Sequence, residues 1–254
     1  MDVDRAKAEA FGLAEEARAF TSEWHAHDKH QVLFAASGTL ELLVGERRWT
    51  LPPQRGAWIR AGARHMASSR TGAELRTVYL ARGMAEEEPD ADCRVFAVTP
   101  LAREMILHAT RWGPDGEGGA TRDAFFRALA GLCAEWIAAE RPFYLPVAKT
   151  EELARAMRWI GEHLEDATVE GAARAAKVSV RTLTRRFEEE AKTSFRAYLQ
   201  AARMMRAMEL LAVPGASVTQ VSYEVGFRSL GAFTTAFTER CGETPSEYRA
   251  RVSA

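Results

Sequence analysis

At 254 residues, 47% hydrophobic and 27% charged, the chain is long enough for two domains and has the composition of a globular protein rather than a disordered or fibrous one. No apolar run reaches the roughly 18 residues that span a bilayer, and the opening MDVDRAKAEA carries acids but no signal-peptide core, so a cytoplasmic protein without a membrane partner is expected. Lys and Arg, 34 together, balance 35 Asp and Glu, which excludes an indiscriminate coat for nucleic acid, and three cysteines without CxxC spacing exclude a disulfide framework or a zinc knuckle.

From Asp2 to Phe20 the chain is rich in Ala and Glu and lacks Pro, which predicts a helix. Short strands are then expected at 31–36, 39–44, 47–51, 57–60 and 74–80, separated by Ser-Gly, Gly-Glu, Pro-Pro-Gln-Arg-Gly, Ala-Gly and Thr-Gly breaks. Closely spaced short strands with turn signals predict a β-barrel or sandwich. Beyond Arg82 the pattern turns helical: an acidic loop at 86–92, a helix from Pro100 to Trp112, the Gly-rich stretch 113–119 and a longer helix from Thr121 to Glu140. RPFYLP at 141–146 reads as an extended linker, because proline disfavours helix at itself and at the residue before it. The remainder is helical, in segments near 151–164, 168–176, 180–191, 194–212, 217–225 and 229–241. Charge is divided as sharply as texture: residues 171–254 hold 13 Lys and Arg against 8 Asp and Glu.

Two stretches of this basic third share one pattern. The first runs Ala173-x3-Lys177-x-Ser179-x3-Leu183-x3-Phe187, and the second Ser222-x3-Gly226-x2-Ser229-x3-Phe233-x3-Phe237. A small residue for close helix crossing, a tight turn, a Ser cap and apolar residues four apart make each a helix-turn-helix. The outward residues are the candidate DNA contacts: Val180, Arg181, Thr184, Arg185 and Arg186 in the first, and Arg228, Ser229, Leu230, Thr234 and Thr235 in the second. The intervening stripe Phe195, Tyr198, Leu199, Ala202 and Met205 predicts a helix roughly 27 Å long that holds the units apart. Recognition helices about 34 Å apart meet successive major-groove segments on one face of B-DNA.

Residues 145–250 resemble the AraC/XylS transcriptional regulators. VSVRTLTRRF is similar to that family's first recognition helix, Arg203-x3-Ala207-x2-Leu210-Leu211 to its linker helix, and GFRSLGAFTTAFTERCGETPSEYR to its C-terminal signature. Lys177 departs from the usual turn glycine, at a cost of roughly 1 kcal/mol if left-handed. Ser222 stands for a usual alanine. With Leu230-Gly231-Ala232 the second recognition helix offers few hydrogen-bonding groups, so the first is expected to discriminate sequence and the second to touch phosphates and thymine methyls.

Towards the N-terminus, Trp24-His25-Ala26-His27 with Gln31, then Ala61-Gly62-Ala63-Arg64-His65, resemble the two motifs of the cupin barrel. That resemblance implies that His25, His27 and His65 converge as effector or metal ligands, with Gln31 where a carboxylate is usual. On a strand, residues 25, 27 and 31 share a face that His30 does not. Three imidazoles suit a divalent Zn, Ni, Cu or Fe. The alternative is that they are hydrogen-bonded remnants in a barrel for an organic effector.

The expected fold is α+β: a cupin-like barrel at 1–98, a helical dimerisation or linker segment at 99–146 in which Phe125, Phe126, Leu129, Leu132 and Trp136 form either a contact face between copies or a core internal to the fold, and an all-α domain with two helix-turn-helix units at 147–254. The function expected is a DNA-binding, effector-responsive transcriptional regulator acting on double-stranded DNA as a homodimer, with no catalytic residues and with RNA polymerase as a further partner. The rival is a metal-dependent cupin enzyme with an accessory helical module, which the absence of a carboxylate at Gln31 weakens.

Overall fold

The computed structural model describes residues 3–53, 55–84, 91–116, 118–138 and 144–252. The chain forms two compact units, one of Met1–Gly45 with Trp49–Pro142 and the other of Glu46–Arg48 with Phe143–Ala254. Residues 86–90 of the expected acidic loop, 139–140 at the end of the expected longer helix and 141–143 of the expected linker lie outside the described residues.

Among the described residues, the first unit follows a short 3-10 turn at Val3–Arg5 with the strands β1 (Ala10–Ala17), β2 (Phe20–Thr21), β3 (His30–Gly38), β4 (Leu40–Val44), β5 (Arg47–Leu51, whose first two residues are grouped with the second unit), β6 (Arg55–Ile59), β7 (His65–Ser69), β8 (Ala73–Leu80) and β9 (Cys93–Ala97). Helices α1 (Pro100–Ala109) and α2 (Ala120–Ala138) come next. One sheet has the order β1-β8-β3-β6-β9, and a second contains β5-β4-β7-β2 in that order. Strand β3 is buried at six consecutive positions from His30. Its Val32 and Phe34 share a core with Trp58, Phe96, Ile106 of α1 and Phe126 and Leu129 of α2. Gln31, Leu33 and Ala35 alternate with these and face the other side of the sheet. In β4, burial alternates on Leu40, Leu42 and Val44, as expected of a strand with one covered face.

Three expectations are corrected here. The N-terminal stretch is strand rather than helix: β1 pairs antiparallel with β8 from Ala10↔Leu80 to Ala17↔Ala73. Its Ala and Glu favour helix by at most a few tenths of a kcal/mol each, whereas Phe11 stacks on Tyr79 at 4.9 Å and pairing to β8 satisfies the backbone. Gly12 has no room for a side chain, since a Cβ would lie 2.6 Å from the Ala109 carbonyl. Second, the segment beyond Arg82 is not uniformly helical, because β9 completes the sheet against β6. Third, the apolar face of α2 is spent inside its own unit: Phe126, Leu129, Ala130, Cys133 and Ile137 are buried there, with Phe125 and Trp136 packed beside them. Helices α1 and α2 thus belong with the strands rather than forming a separate module, because the sheet needs a cover on that face.

In the second unit, β10 (Leu145–Pro146) pairs with Arg48 and Arg47. Helices α3 (Glu151–Glu162), α4 (Val169–Ala176), α5 (Val180–Glu189), α6 (Phe195–Leu211), α7 (Val218–Glu224), α8 (Leu230–Cys241) and α9 (Pro245–Val252) follow. Thr150, Thr168, Ser179, Ser194, Ser217 and Ser229 cap the first six of them, each accepting a backbone N–H three residues on. One core joins Ile160, Ala173, Leu183, Phe187, Tyr198, Met204, Val221, Phe233, Phe237 and Tyr248. Helix α6 contributes nine buried residues and, at 17 residues, runs about 25 Å through that core. The short α9 was not expected from the sequence. Among the described residues, no helix is long and apolar enough to cross a membrane.

Candidate functional site

Helices α4 and α5 form the first helix-turn-helix. Helix α4 ends on Lys177 in the left-handed region, φ 58° and ψ 39°. The N–H of Val178 reaches back to the Ala173 carbonyl at 3.0 Å, and that of Lys177 to Arg174 at 3.0 Å. This pair of bonds is a Schellman closure, which normally takes glycine at the left-handed position. Leu183 and Phe187 are fully buried beneath α5, which fixes the rotation of the helix. Val180, Arg181, Thr184 and Arg185 are consequently exposed. Arg181 has no ion-pair partner among the described residues, and Arg185 has only a long surface contact to Glu189 at 3.9 Å, the kind that contributes little. Arg186, grouped with the DNA contacts from the sequence, is turned aside: it donates to Glu190 at 2.7 Å and lies 3.7 Å from Glu152 of α3. Those carboxylates, the Glu190 bond first, raise its pKa and hold it against the helix bundle.

Helices α7 and α8 repeat the design. Phe227 N–H bonds the Ser222 carbonyl at 2.9 Å and Gly226 N–H that of Tyr223 at 2.8 Å, with Gly226 at φ 83°. Phe233 and Phe237 are fully buried. Arg228, Ser229, Leu230 and Thr235 are exposed and Thr234 is half-buried. Leu230 at 40% and Val180 at 38% are among the exposed large apolar side chains; both stand at the first position of their helices, which is where a recognition helix enters the groove.

The histidine cluster lies in the first unit. Residues 24–29 are not regular strand; His25 makes an isolated antiparallel bridge to His65, with His25 N–H to the His65 carbonyl at 3.0 Å and the reverse at 2.9 Å. The ligand loop is further held by Gly62 N–H on the His27 carbonyl, 2.8 Å, and by Asp28 N–H on Asp4 Oδ1, 2.7 Å. Ring centroids are 4.2 Å apart for His25 and His65, 5.2 Å for His27 and His65 and 6.2 Å for His25 and His27. Gln31, at the start of β3, brings Oε1 to 3.0 Å from His27 Nε2. His27 and His65 are buried and His25 is exposed. Burial lowers the pKa of His65 to about 4, with His25 and His27 adding to the effect against the Ala63 carbonyl, so its ring is neutral near pH 7. His30 faces away, stacked on Trp58 at 4.8 Å and accepting from Ala61 N–H at 3.1 Å. No sequence pattern announced three further groups, the carbonyls of Glu23, Lys29 and Ala63, which accept from Nδ1 of His25, His27 and His65 at 2.8, 2.7 and 2.9 Å.

A β-domain with a partly buried histidine cluster, joined in one chain to a pair of helix-turn-helix units on a shared core, has the make-up of a ligand-responsive transcriptional regulator that binds DNA. A family profile described as an AraC-like ligand binding domain matches residues 9–112, and one described as a helix-turn-helix domain matches residues 172–251. Together these two profiles give the chain the sensor and DNA-binding parts of an AraC-type transcriptional regulator. It is 29% identical over 244 residues to the HTH-type transcriptional regulator NimR of Escherichia coli strain K12, across 92% of this chain and 84% of that protein. It is 38% identical over 103 residues to the transcriptional activator NphR of a Rhodococcus species, across 40% of this chain and 30% of that protein. Among solved structures, ToxT of Vibrio cholerae in its P21 form aligns over 97% of this chain and 100% of its own at 10% identity and a TM-score of 0.42, a likeness that adds nothing to the assignment.

Proposed function

We propose that the chain is a cytoplasmic one-component switch that acts without catalysis: a small effector in the β-domain sets how well a homodimer occupies its operator, and the DNA-bound dimer works with RNA polymerase. The observation that carries this reading is the pair of recognition helices built on one core, with Arg181 and Arg185 exposed on the first. Arginine in that position reads guanine O6 and N7 as a bidentate donor. The effector acts by preferring one conformation of the regulator, so its influence on DNA is bounded by its differential affinity for the two states. An enzymatic reading has less behind it, since the two profiles that match the chain describe a ligand binding domain and a helix-turn-helix domain.

The test is DNA capture from fragmented genomic DNA with purified full-length protein, followed by titration on the recovered sites. The reading expects a few strongly enriched sites upstream of genes, and sedimentation showing a dimer at micromolar concentration. Uniform recovery of the genome overturns the regulator, and a monomer on its operator overturns the dimer.

A further inference from the structure

The two recognition helices align on their serine caps and buried pairs: Ser179 with Ser229, Leu183 with Phe233 and Phe187 with Phe237. On α5 the outward residues then fall in two rows four apart, the rows that form ridges on a helix surface. Val180 and Thr184 make one row, Arg181 and Arg185 the other, and all four are exposed. The first row recurs on α8 as Leu230 and Thr234, whereas Gly231 and Thr235 stand where the arginines would be. An apolar residue followed by threonine is thus shared by both helices, and the guanidinium row belongs to α5 alone.

Three features narrow what the shared row touches on α5. The hydroxyls at the helix start are engaged with each other: Ser179 Oγ accepts from Thr182 N–H at 3.1 Å and is bonded to the Thr182 hydroxyl at 2.8 Å. Val180 stands open to solvent at the first helical position, held outward by the burial of Leu183 and Phe187, so what it offers is a pair of methyl groups. Glu188 and Glu189, both exposed, occupy the turn after Arg185; their charge repels phosphate, and DNA is therefore met by the first two turns. The methyl group that a base pair presents in the major groove is the one on C5 of thymine, and 5-methylcytosine carries the same group on the same ring carbon. Neighbouring Cα atoms are about 3.8 Å apart and successive bases about 3.4 Å. When Arg181 meets a guanine, Val180 consequently reaches the base pair beside it.

We infer that α5 selects a 5-methylpyrimidine next to a guanine: Arg181 holds guanine O6 and N7, and Val180, with the Thr184 methyl behind it, packs on the methyl group of the neighbouring thymine or 5-methylcytosine. The inference rests on the regulator reading above and adds to it the chemistry of one operator step. It makes operator occupancy responsive to cytosine methylation, because a methyl group on cytosine supplies the contact that thymine supplies.

The experiment uses full-length protein and a duplex carrying the sequence that it selects from random DNA. The step is located as the pyrimidine flanking the guanine whose preference Arg181→Ala loses. At that position the duplex carries thymine, uracil, cytosine or 5-methylcytosine, each opposite its complementary purine, so that only the methyl group changes within each pair. Thymine is expected to bind about 4-fold more tightly than uracil, and 5-methylcytosine more tightly than cytosine by a similar factor, since one buried methyl contributes about 0.8 kcal/mol and about 1.4 kcal/mol is tenfold. Val180→Ala, which trims an exposed side chain and should keep the wild-type far-ultraviolet circular dichroism, is expected to bring both ratios to about 1, and Val180→Ile to retain them. Equal binding of the thymine and uracil duplexes by wild type, selection of purines on both sides of the guanine, or ratios that persist in Val180→Ala overturn the inference. A thymine ratio without a 5-methylcytosine ratio overturns the response to cytosine methylation. Selection of no sequence by wild type is a separate result, against the regulator reading itself.

Discussion

The two helix-turn-helix units make the same turn with the same backbone bonds, yet one places lysine at the left-handed position and the other glycine. The surroundings explain the difference. Lys177 lies exposed at its turn and bears only its own backbone strain. Gly226 sits where three helices meet: a Cβ there would come within 2.5 Å of Arg203 Nη2 and 2.6 Å of the carbonyls of Leu164 and Glu165. Arg203 of α6 donates to those two carbonyls, at 2.9 and 3.3 Å, and so caps the chain leaving α3. Burial lowers its pKa, and its guanidinium lies 5.9 Å from the Phe227 ring. The second turn is therefore a structural joint, and the first is a surface loop free to vary. The reading faces divide the opposite way: α5 presents free arginine and α8 presents leucine, glycine, alanine and threonine.

This contrast can be broken most sharply at Gly226. Gly226→Ala combines left-handed strain with a clash against backbone that cannot retreat, and is expected to cost about 3 kcal/mol or more, read as a lower urea midpoint. A loss below about 1 kcal/mol would show that the joint yields. On the DNA side, Leu230→Ala is expected to weaken operator binding by about 1 kcal/mol, the value of losing an apolar contact of that size, with thermal stability unchanged. No loss would remove α8 from the base edges. In the other direction, Lys177→Gly relieves the strain of the first turn and should gain up to about 1 kcal/mol in urea unfolding, whereas any destabilisation would mean that the lysine side chain does work at that turn. The smallest effect is expected of Arg186→Ala: a lower thermal midpoint from the lost contacts to Glu190 and Glu152, and an unaltered ratio of operator to nonspecific affinity. A collapsed ratio would return Arg186 to the reading face.

The helical unit was legible because its signals are local. Six Ser or Thr caps mark helix starts, and buried residues four apart mark inner faces. Even the unexpected α9 carried a signal: Thr244 and Glu247 form a reciprocal capping box, with Glu247 accepting from Thr244 N–H at 2.8 Å and donating its own N–H to Thr244 Oγ1 at 3.2 Å. The Thr244 N–H first, and then the Thr244 hydroxyl, which donates to the same carboxylate oxygen at 2.8 Å, keep the Glu247 carboxyl below its usual pKa.

The strands were harder because their evidence is nonlocal. Nothing in Ala10–Ala17 names β8 as its partner, and β9 lies after an acidic stretch with only Cys93, Val95 and Phe96 to suggest it. The pairing of Arg186 was hidden for a related reason. Helical spacing puts it near the outer face, but its partner Glu152 lies on α3, 34 residues earlier. Convergence of His25, His27 and His65 was legible through the resemblance to the cupin motifs, although the parity argument for 25, 27 and 31 assumed a strand where the chain forms a bridged loop at His25 and His27.

The central claim is that this chain reads DNA with two faces of unequal chemistry, and selection of bound sequences from random duplex DNA tests it directly for wild type, Arg181→Ala and Leu230→Ala. Wild type is predicted to enrich two boxes about one helical turn apart, roughly 10 base pairs centre to centre. Arg181→Ala should erase a guanine in one box only, at a cost of about 1–3 kcal/mol on the wild-type operator. Leu230→Ala should soften a thymine in the other. Enrichment of no sequence by wild type, or loss of both boxes together in either variant, would contradict the account.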